Sequence, residues 1–221
     1  MDNRPIGVFD SGLGGVSTLR SLVRVMPGED FIYFGDTANA PYGTKSEEEI
    51  LELTLRAVRQ LLDRDIKELV LACNTATSAA AASLRSMLEI PVIGIEPAVK
   101  PAAGLISDGC LLVLATPATI RQEKLRNLVE RYGRNTRLLP CPGLMEFAER
   151  LEFEGPAIDG YLEKLLAPFR AIKTDACVLG CTHYPFLKKA IAKALPGVPI
   201  FDGNEGTAHQ ARRVLTERGL L

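Results

Sequence analysis

The feature that most constrains this chain is its alternation of short, mostly apolar runs with amphipathic stretches. The runs are Ile6–Phe9, Phe31–Phe34, Leu69–Ala72, Val92–Ile95, Leu111–Ala115, Arg137–Leu139, Cys177–Gly180 and Pro199–Phe201. Between them the spacing predicts helices near Gly15–Val25, Glu47–Leu62, Ala76–Leu88, Ala98–Ile106, Ile120–Tyr132, Leu144–Glu152, Ala157–Phe169, Pro185–Ala194 and Glu205–Arg218. Runs of Val, Ile and Leu without polar alternation suit strands buried on both faces, as in parallel sheets covered by helices. The expected class is α/β with mainly parallel sheets.

The order of motifs repeats. Phe9-Asp10-Ser11-Gly12 closes the first strand, and Ala115-Thr116-Pro117-Ala118 closes the strand after the midpoint. Cys73 and Cys181 stand at nearly the same offset from each other, one after Val70-Leu71-Ala72 and one after Val178-Leu179-Gly180. Two pseudo-symmetric α/β domains are therefore expected, with a boundary near Ala98–Gly109. The first comprises residues 1–97 and 206–221, the second residues 98–205. The segment Phe201–Leu221 should cross back to the first half.

A strand that ends in a nucleophile-capable side chain is where α/β proteins place chemistry. Each cysteine is followed by hydroxyl or amide residues, Asn74 and Thr75 after Cys73, Thr182 and His183 after Cys181. Helix N-termini there would offer N–H groups to an anion and favour a thiolate. His183 is placed to tune Cys181 or to relay a proton. Asp10-Ser11-Gly12-Leu13-Gly14-Gly15 opens a helix but matches neither the dinucleotide fingerprint nor the phosphate loop, so a carboxylate fits it as well as a phosphate. Tyr33–Thr44 reads as a long polar loop of the kind that binds ligands.

Other readings of the cysteines stay open at this level. Cys177, Cys181 and His183 could ligate zinc if Cys73 supplied a fourth group, although the spacing is not that of a knuckle. A redox pair is conceivable without a Cys-x-x-Cys motif. Burial as small apolar side chains is the plain alternative, and Cys110, Cys141 and Cys177 are assigned to it. His209 reads as a surface residue.

The net charge is −1 and no long basic run occurs, which argues against a nucleic-acid partner. No apolar stretch approaches a membrane span, and the N-terminus leads into a strand without a signal-peptide core. A cytoplasmic location is expected, and the five scattered cysteines do not form a disulfide framework.

The segments Phe9-Asp10-Ser11-Gly12, Tyr33-Phe34-Gly35-Asp36-Thr37, Pro41-Tyr42-Gly43-Thr44-Lys45-Ser46, Ala72-Cys73-Asn74-Thr75-Ala76, Ala115-Thr116-Pro117-Ala118-Thr119, Cys141-Pro142, Gly180-Cys181-Thr182-His183-Tyr184-Pro185 and Asp202-Gly203 occur in this order. Together they resemble the glutamate racemases of the aspartate/glutamate racemase superfamily over nearly the whole chain. Aspartate racemases differ from this pattern at the Asp-Ser-Gly opening and carry Glu after the second Cys-Thr, so Asp10 and His183 favour glutamate.

The resemblance implies a site in the cleft between two α/β domains and a reaction without pyridoxal phosphate, metal or other cofactor. Consistent with that, no Lys stands beside either cysteine motif. It implies Cys73 and Cys181 as the two acid–base groups, Cys73 serving D-glutamate and Cys181 L-glutamate, assisted by Asp10 and His183. It further implies substrate contacts at Ser11, Pro41, Tyr42, Gly43, Asn74, Thr75, Thr119 and Thr182. Glu149 matches a further acidic residue, with Glu146 and Glu152 as its alternatives. A homodimer that supplies D-glutamate for peptidoglycan is the implied context. Many family members extend well beyond the Asp-Gly segment, whereas this chain stops at Leu221.

Overall fold

The apolar runs do form strands, and all of them pair in parallel. The computed structural model describes residues 2–221. It separates into two compact units, Met1–Glu96 with Gly203–Leu221, and Pro97–Asp202.

In the first unit the strands are β1 (Ile6–Asp10), β2 (Phe31–Gly35), β3 (Glu68–Leu71) and β4 (Val92–Gly94). They lie in the order β2-β1-β3-β4. The helices are α1 (Val16–Val25), α2 (Glu47–Leu62), α3 (Asn74–Met87) and, from the end of the chain, α10 (Asn204–Glu217). Period-two alternation divides the strands between two cores. Phe9, Leu69 and Leu71 pack with Ile50, Leu53, Ala57 and Leu61 of α2 and Ala80 and Leu84 of α3. Ile6, Val8, Val70 and Ile93 face the other way, against Leu22 of α1 and Ala208, Ala211 and Leu215 of α10. Helix α2 shows why its bounds were legible. Ser46 caps it by accepting the Glu49 N–H at 3.2 Å, three glutamates fill the first turn, and the buried row recurs at helical spacing.

The second unit repeats the plan. Its strands β5 (Cys110–Ala115), β6 (Thr136–Pro140), β7 (Thr174–Leu179) and β8 (Ile200–Asp202) lie in the order β6-β5-β7-β8. Its helices are α4 (Val99–Ala103), α5 (Pro117–Arg121), α6 (Glu123–Tyr132), α7 (Leu144–Glu149), α8 (Pro156–Leu166) and α9 (Lys188–Ala194). Leu112, Leu114, Cys177 and Leu179 pack against α7, α8 and α9, while Leu111, Val113, Ala176 and Val178 pack against α4 and α6.

Pairing aligns the two units more closely than the sequence offset does. Phe9 is opposite Leu71, and Leu114 is opposite Leu179. Continued by two residues, this register puts Ser11 level with Cys73 and Thr116 level with Cys181. In each unit the second strand lies on one side of the first and the third strand on the other. The crevice at the carboxyl ends of such neighbours is where open α/β sheets bind ligands.

Several elements differ from the periodicity reading. The helix expected over Ile120–Tyr132 starts earlier, at Pro117, and breaks at Gln122, whose backbone is extended at φ −73° and ψ 137°. Helix α3 starts at Asn74 because Cys73 already serves as its cap. The second cysteine opens no long helix: Tyr184–Leu187 is a 3-10 turn, and α9 begins only at Lys188. The long loop after β2 is structured, with 3-10 turns at Thr37–Asn39 and Tyr42–Thr44 and a cis Ala40–Pro41 bond.

Candidate active site

In the first unit, β1 delivers Asp10 and Ser11 to the sheet edge and β3 delivers Cys73 beside them. Asp10 is fully buried, and its Oδ2 accepts the Gly12 N–H at 2.9 Å, which closes a tight turn. Tyr33 donates its hydroxyl to the Gly12 carbonyl and holds the turn from the other side. The turn admits no side chain at Gly15, where a Cβ would stand 2.5 Å from that of Asp10. Cys73 Sγ accepts the Ala76 N–H at 3.4 Å and lies 3.3 Å from Ser11 Oγ. A helix N-terminus and a hydroxyl thus converge on one buried sulfur, an environment that stabilises a thiolate. Asn74 and Thr75 follow, both buried in the first turn of α3. The Asn74 Oδ1 is buried with no hydrogen-bond partner.

The loop after β2 is braced by Asp36. Its carboxylate accepts the Tyr42 hydroxyl at 2.7 Å and the Asn39 amide at 2.8 Å. Tyr42 is only 1% exposed and packs in the core with Phe9. Burial and the bond to Asp36 push the Tyr42 phenol well above its usual range, so it stays a donor. Its hydroxyl is committed to Asp36. The sequence offers no sign of this role for Asp36 beyond its place directly after a strand.

In the second unit, β5 ends beside β7. Thr116 caps α5, with its Oγ1 accepting the Thr119 N–H at 3.2 Å and lying 2.9 Å from Thr119 Oγ1. A Cβ on Gly180 would stand 3.0 Å from that of Ala115, so a side chain there would be crowded. Cys181 follows, with Sγ 3.6 Å from Nδ1 of His183. The Nε2 of His183 is 2.6 Å from Oε1 of Glu149, the last residue of α7. Thiol, imidazole and carboxylate form a chain in which the carboxylate orients the ring and stabilises its protonated form. Thr182 and His183 are both buried.

The three candidate carboxylates separate cleanly. Glu149 meets His183, Glu152 forms an ion pair with Arg150, and one Glu146 oxygen is buried without a hydrogen-bond partner. The remaining cysteines are buried and free. Burial alone pushes the Cys177 thiol up to about 12, and Cys141 is raised by the same cause. Among the described residues no group of three or more His, Cys, Asp or Glu side chains is arranged to hold a metal ion. Nor is any helix of those residues long and apolar enough to cross a membrane. His209 lies on the surface, 3.9 Å from Glu205.

Residues 6–211 match the family model described as Asp/Glu/Hydantoin racemase. The chain belongs to this family. Curated relatives agree: it is 49% identical to the glutamate racemase of Clostridium acetobutylicum over 99% of this chain and 87% of that protein. It is 50% identical to the glutamate racemase of Clostridium novyi, over 98% and 85%. Among solved structures, glutamate racemase from Thermus thermophilus in complex with beta-chloro-D-alanine superposes with a TM-score of 0.84 at 38% identity, covering 100% of this chain and 84% of that one. Escherichia coli glutamate racemase, in complex with L-glutamate and the activator UDP-MurNAc-ala, gives 0.89 at 32%, covering 96% and 83%. An aspartate racemase from Picrophilus torridus shares the fold at a TM-score of 0.62 and 16% identity. This family member is an amino-acid racemase, an isomerase, and its relatives support glutamate racemisation as the activity.

Proposed function

We propose that the protein interconverts L- and D-glutamate by a two-base exchange at Cα, with Cys73 and Cys181 as the exchanging groups and no cofactor or metal. One thiolate removes the Cα proton, and the other thiol delivers a proton to the opposite face. The chirality inverts while the proton count of the pair is unchanged. Cys73 acts on D-glutamate and Cys181 on L-glutamate.

The observation that carries this reading is the Cys181–His183–Glu149 chain, with 3.6 Å and 2.6 Å between its members. It can accept or return the proton of the thiol. Asp10 assists Cys73 in the corresponding way. The carbanion formed at Cα needs donors around the substrate carboxylates. Ser11, Asn74, Thr75, Thr119 and Thr182, with the main chain of Pro41, Tyr42 and Gly43, supply them. The product supplies D-glutamate to peptidoglycan in the cytoplasm, and the protein works as a homodimer.

Incubation with L-glutamate in deuterated water should yield D-glutamate labelled at Cα. Cys73→Ala and Cys181→Ala should each abolish racemisation. Wild-type turnover in either variant would refute the two-base mechanism. Sedimentation of the free protein as a monomer at assay concentration would refute the dimer.

A further inference from the structure

We propose that Ser11 is the positioning residue of Cys73. Its hydroxyl donates a hydrogen bond to the Cys73 thiolate and keeps that sulfur ionised and aimed. The proposal rests on the reading of Cys73 as an exchanging group and goes beyond a role for Ser11 in contacting substrate.

Ser11 Oγ and Cys73 Sγ are 3.3 Å apart across a sequence separation of 62, and both residues are buried. Two features of the fold enforce this meeting. β1 and β3 are neighbours, with Phe9 opposite Leu71, so the residues just beyond them emerge together. The turn that carries Ser11 is also fixed, through Asp10 Oδ2 to the Gly12 N–H at 2.9 Å and through Tyr33 to the Gly12 carbonyl. The second donor on the same sulfur is the Ala76 N–H, at 3.4 Å. A thiolate accepts hydrogen bonds and donates none, so a hydroxyl and an N–H that converge on it favour the anion over the neutral thiol.

The matched position in the second unit also carries a hydroxyl, Thr116, which is used there to cap α5. In that unit the imidazole of His183 lies 3.6 Å from the cysteine sulfur.

Because the two enantiomers are isoenergetic in solution, kcat/KM is the same in both directions at every pH, and the thiols themselves give the sharper readout. The test is the pH dependence of iodoacetamide labelling, with the Cys73 and Cys181 peptides quantified separately by mass spectrometry. Wild type, Ser11→Ala and Ser11→Thr are compared, each checked by circular dichroism. In Ser11→Ala the Cys73 midpoint should rise by about one pH unit, the size expected for one hydrogen bond to a charged group. The Cys181 midpoint should stay in place, and Ser11→Thr should restore the Cys73 midpoint. In Ser11→Ala kcat should fall, and KM for glutamate should change less.

An unmoved Cys73 midpoint would overturn the proposal, and a raised KM with that midpoint unmoved would assign Ser11 to substrate contact instead. Both midpoints moving together would mark a general structural effect and overturn it as well. The parent reading fails separately, if Cys73→Ala still racemises at the wild-type rate.

Discussion

Glu68 should make the first unit lose stability as the pH rises through neutrality. It opens β3, opposite Ile6, on the same face as Val70, and is 0% exposed. Neither carboxylate oxygen has a hydrogen-bond partner. Burial is the main cause that lifts its carboxyl to about 8 from 4.5; Glu29 adds to the rise, and Lys67 and Arg218 oppose it. Glu68 is therefore protonated in the folded protein at neutral pH and ionised in the unfolded chain. Between the unfolded and folded values the folded state binds the extra proton, so stability falls with increasing pH, by about 1.4 kcal/mol per unit. Across the window from 4.5 to 8 the loss approaches about 4 kcal/mol, and at pH 7 it is about 3 kcal/mol.

The perturbation is Glu68→Gln, which keeps the shape and removes the titration. Urea unfolding followed by circular dichroism, at half-unit steps from pH 4.5 to 8.5, gives both stability curves. Near pH 4.5 the variant and wild type should agree to within about 1 kcal/mol, since each buries a neutral polar group. The variant should then gain steadily, and by pH 8 its stability relative to wild type should have risen by about 4 kcal/mol. A gap that does not change with pH would refute the reasoning, because it would mean that Glu68 has the same protonation in both states.

Lys67 tests the neighbouring charge in the opposite direction. It is 1% exposed, pairs with Glu29 at 2.5 Å and donates to the carbonyls of Asp2 and Leu220. Lys67→Met strands Glu29 and should cost about 3–5 kcal/mol by urea unfolding; a loss below about 1 kcal/mol would contradict this. Glu149→Gln removes the carboxylate behind His183 and should lower kcat for glutamate about tenfold or more, with the fold unchanged by circular dichroism. The Cys177 thiol, pushed up to about 12 by burial, should resist iodoacetamide at pH 8 in the folded protein and react only when urea unfolds it.

Much of the architecture is local and therefore legible. Strands buried on both faces announce themselves as unbroken Val, Ile and Leu, and Ser46 with three glutamates marks the start of α2. The strand-end positions of Cys73 and Cys181 follow from the same reading. Local signals misled where a helix is interrupted or delayed by its surroundings, as at Gln122 and at Tyr184–Leu187. In the site, the choice among three nearby glutamates was open in the sequence, because Glu146, Glu149 and Glu152 all lie within reach of one short helix. The fold places Glu149 against His183.

The sequence by itself determined the alternation of strands and helices, the repeated plan, the chemistry available at each strand end and the membership of a racemase family. Only the tertiary structure decided which strands became neighbours. That order places Ser11 against Cys73 across 62 residues, commits the Tyr42 hydroxyl to Asp36 and leaves Glu68 buried without a partner. Short-range periodicity reports which face of an element is apolar. It carries no information on which distant element covers that face, and the environment of each titratable group depends on that second fact.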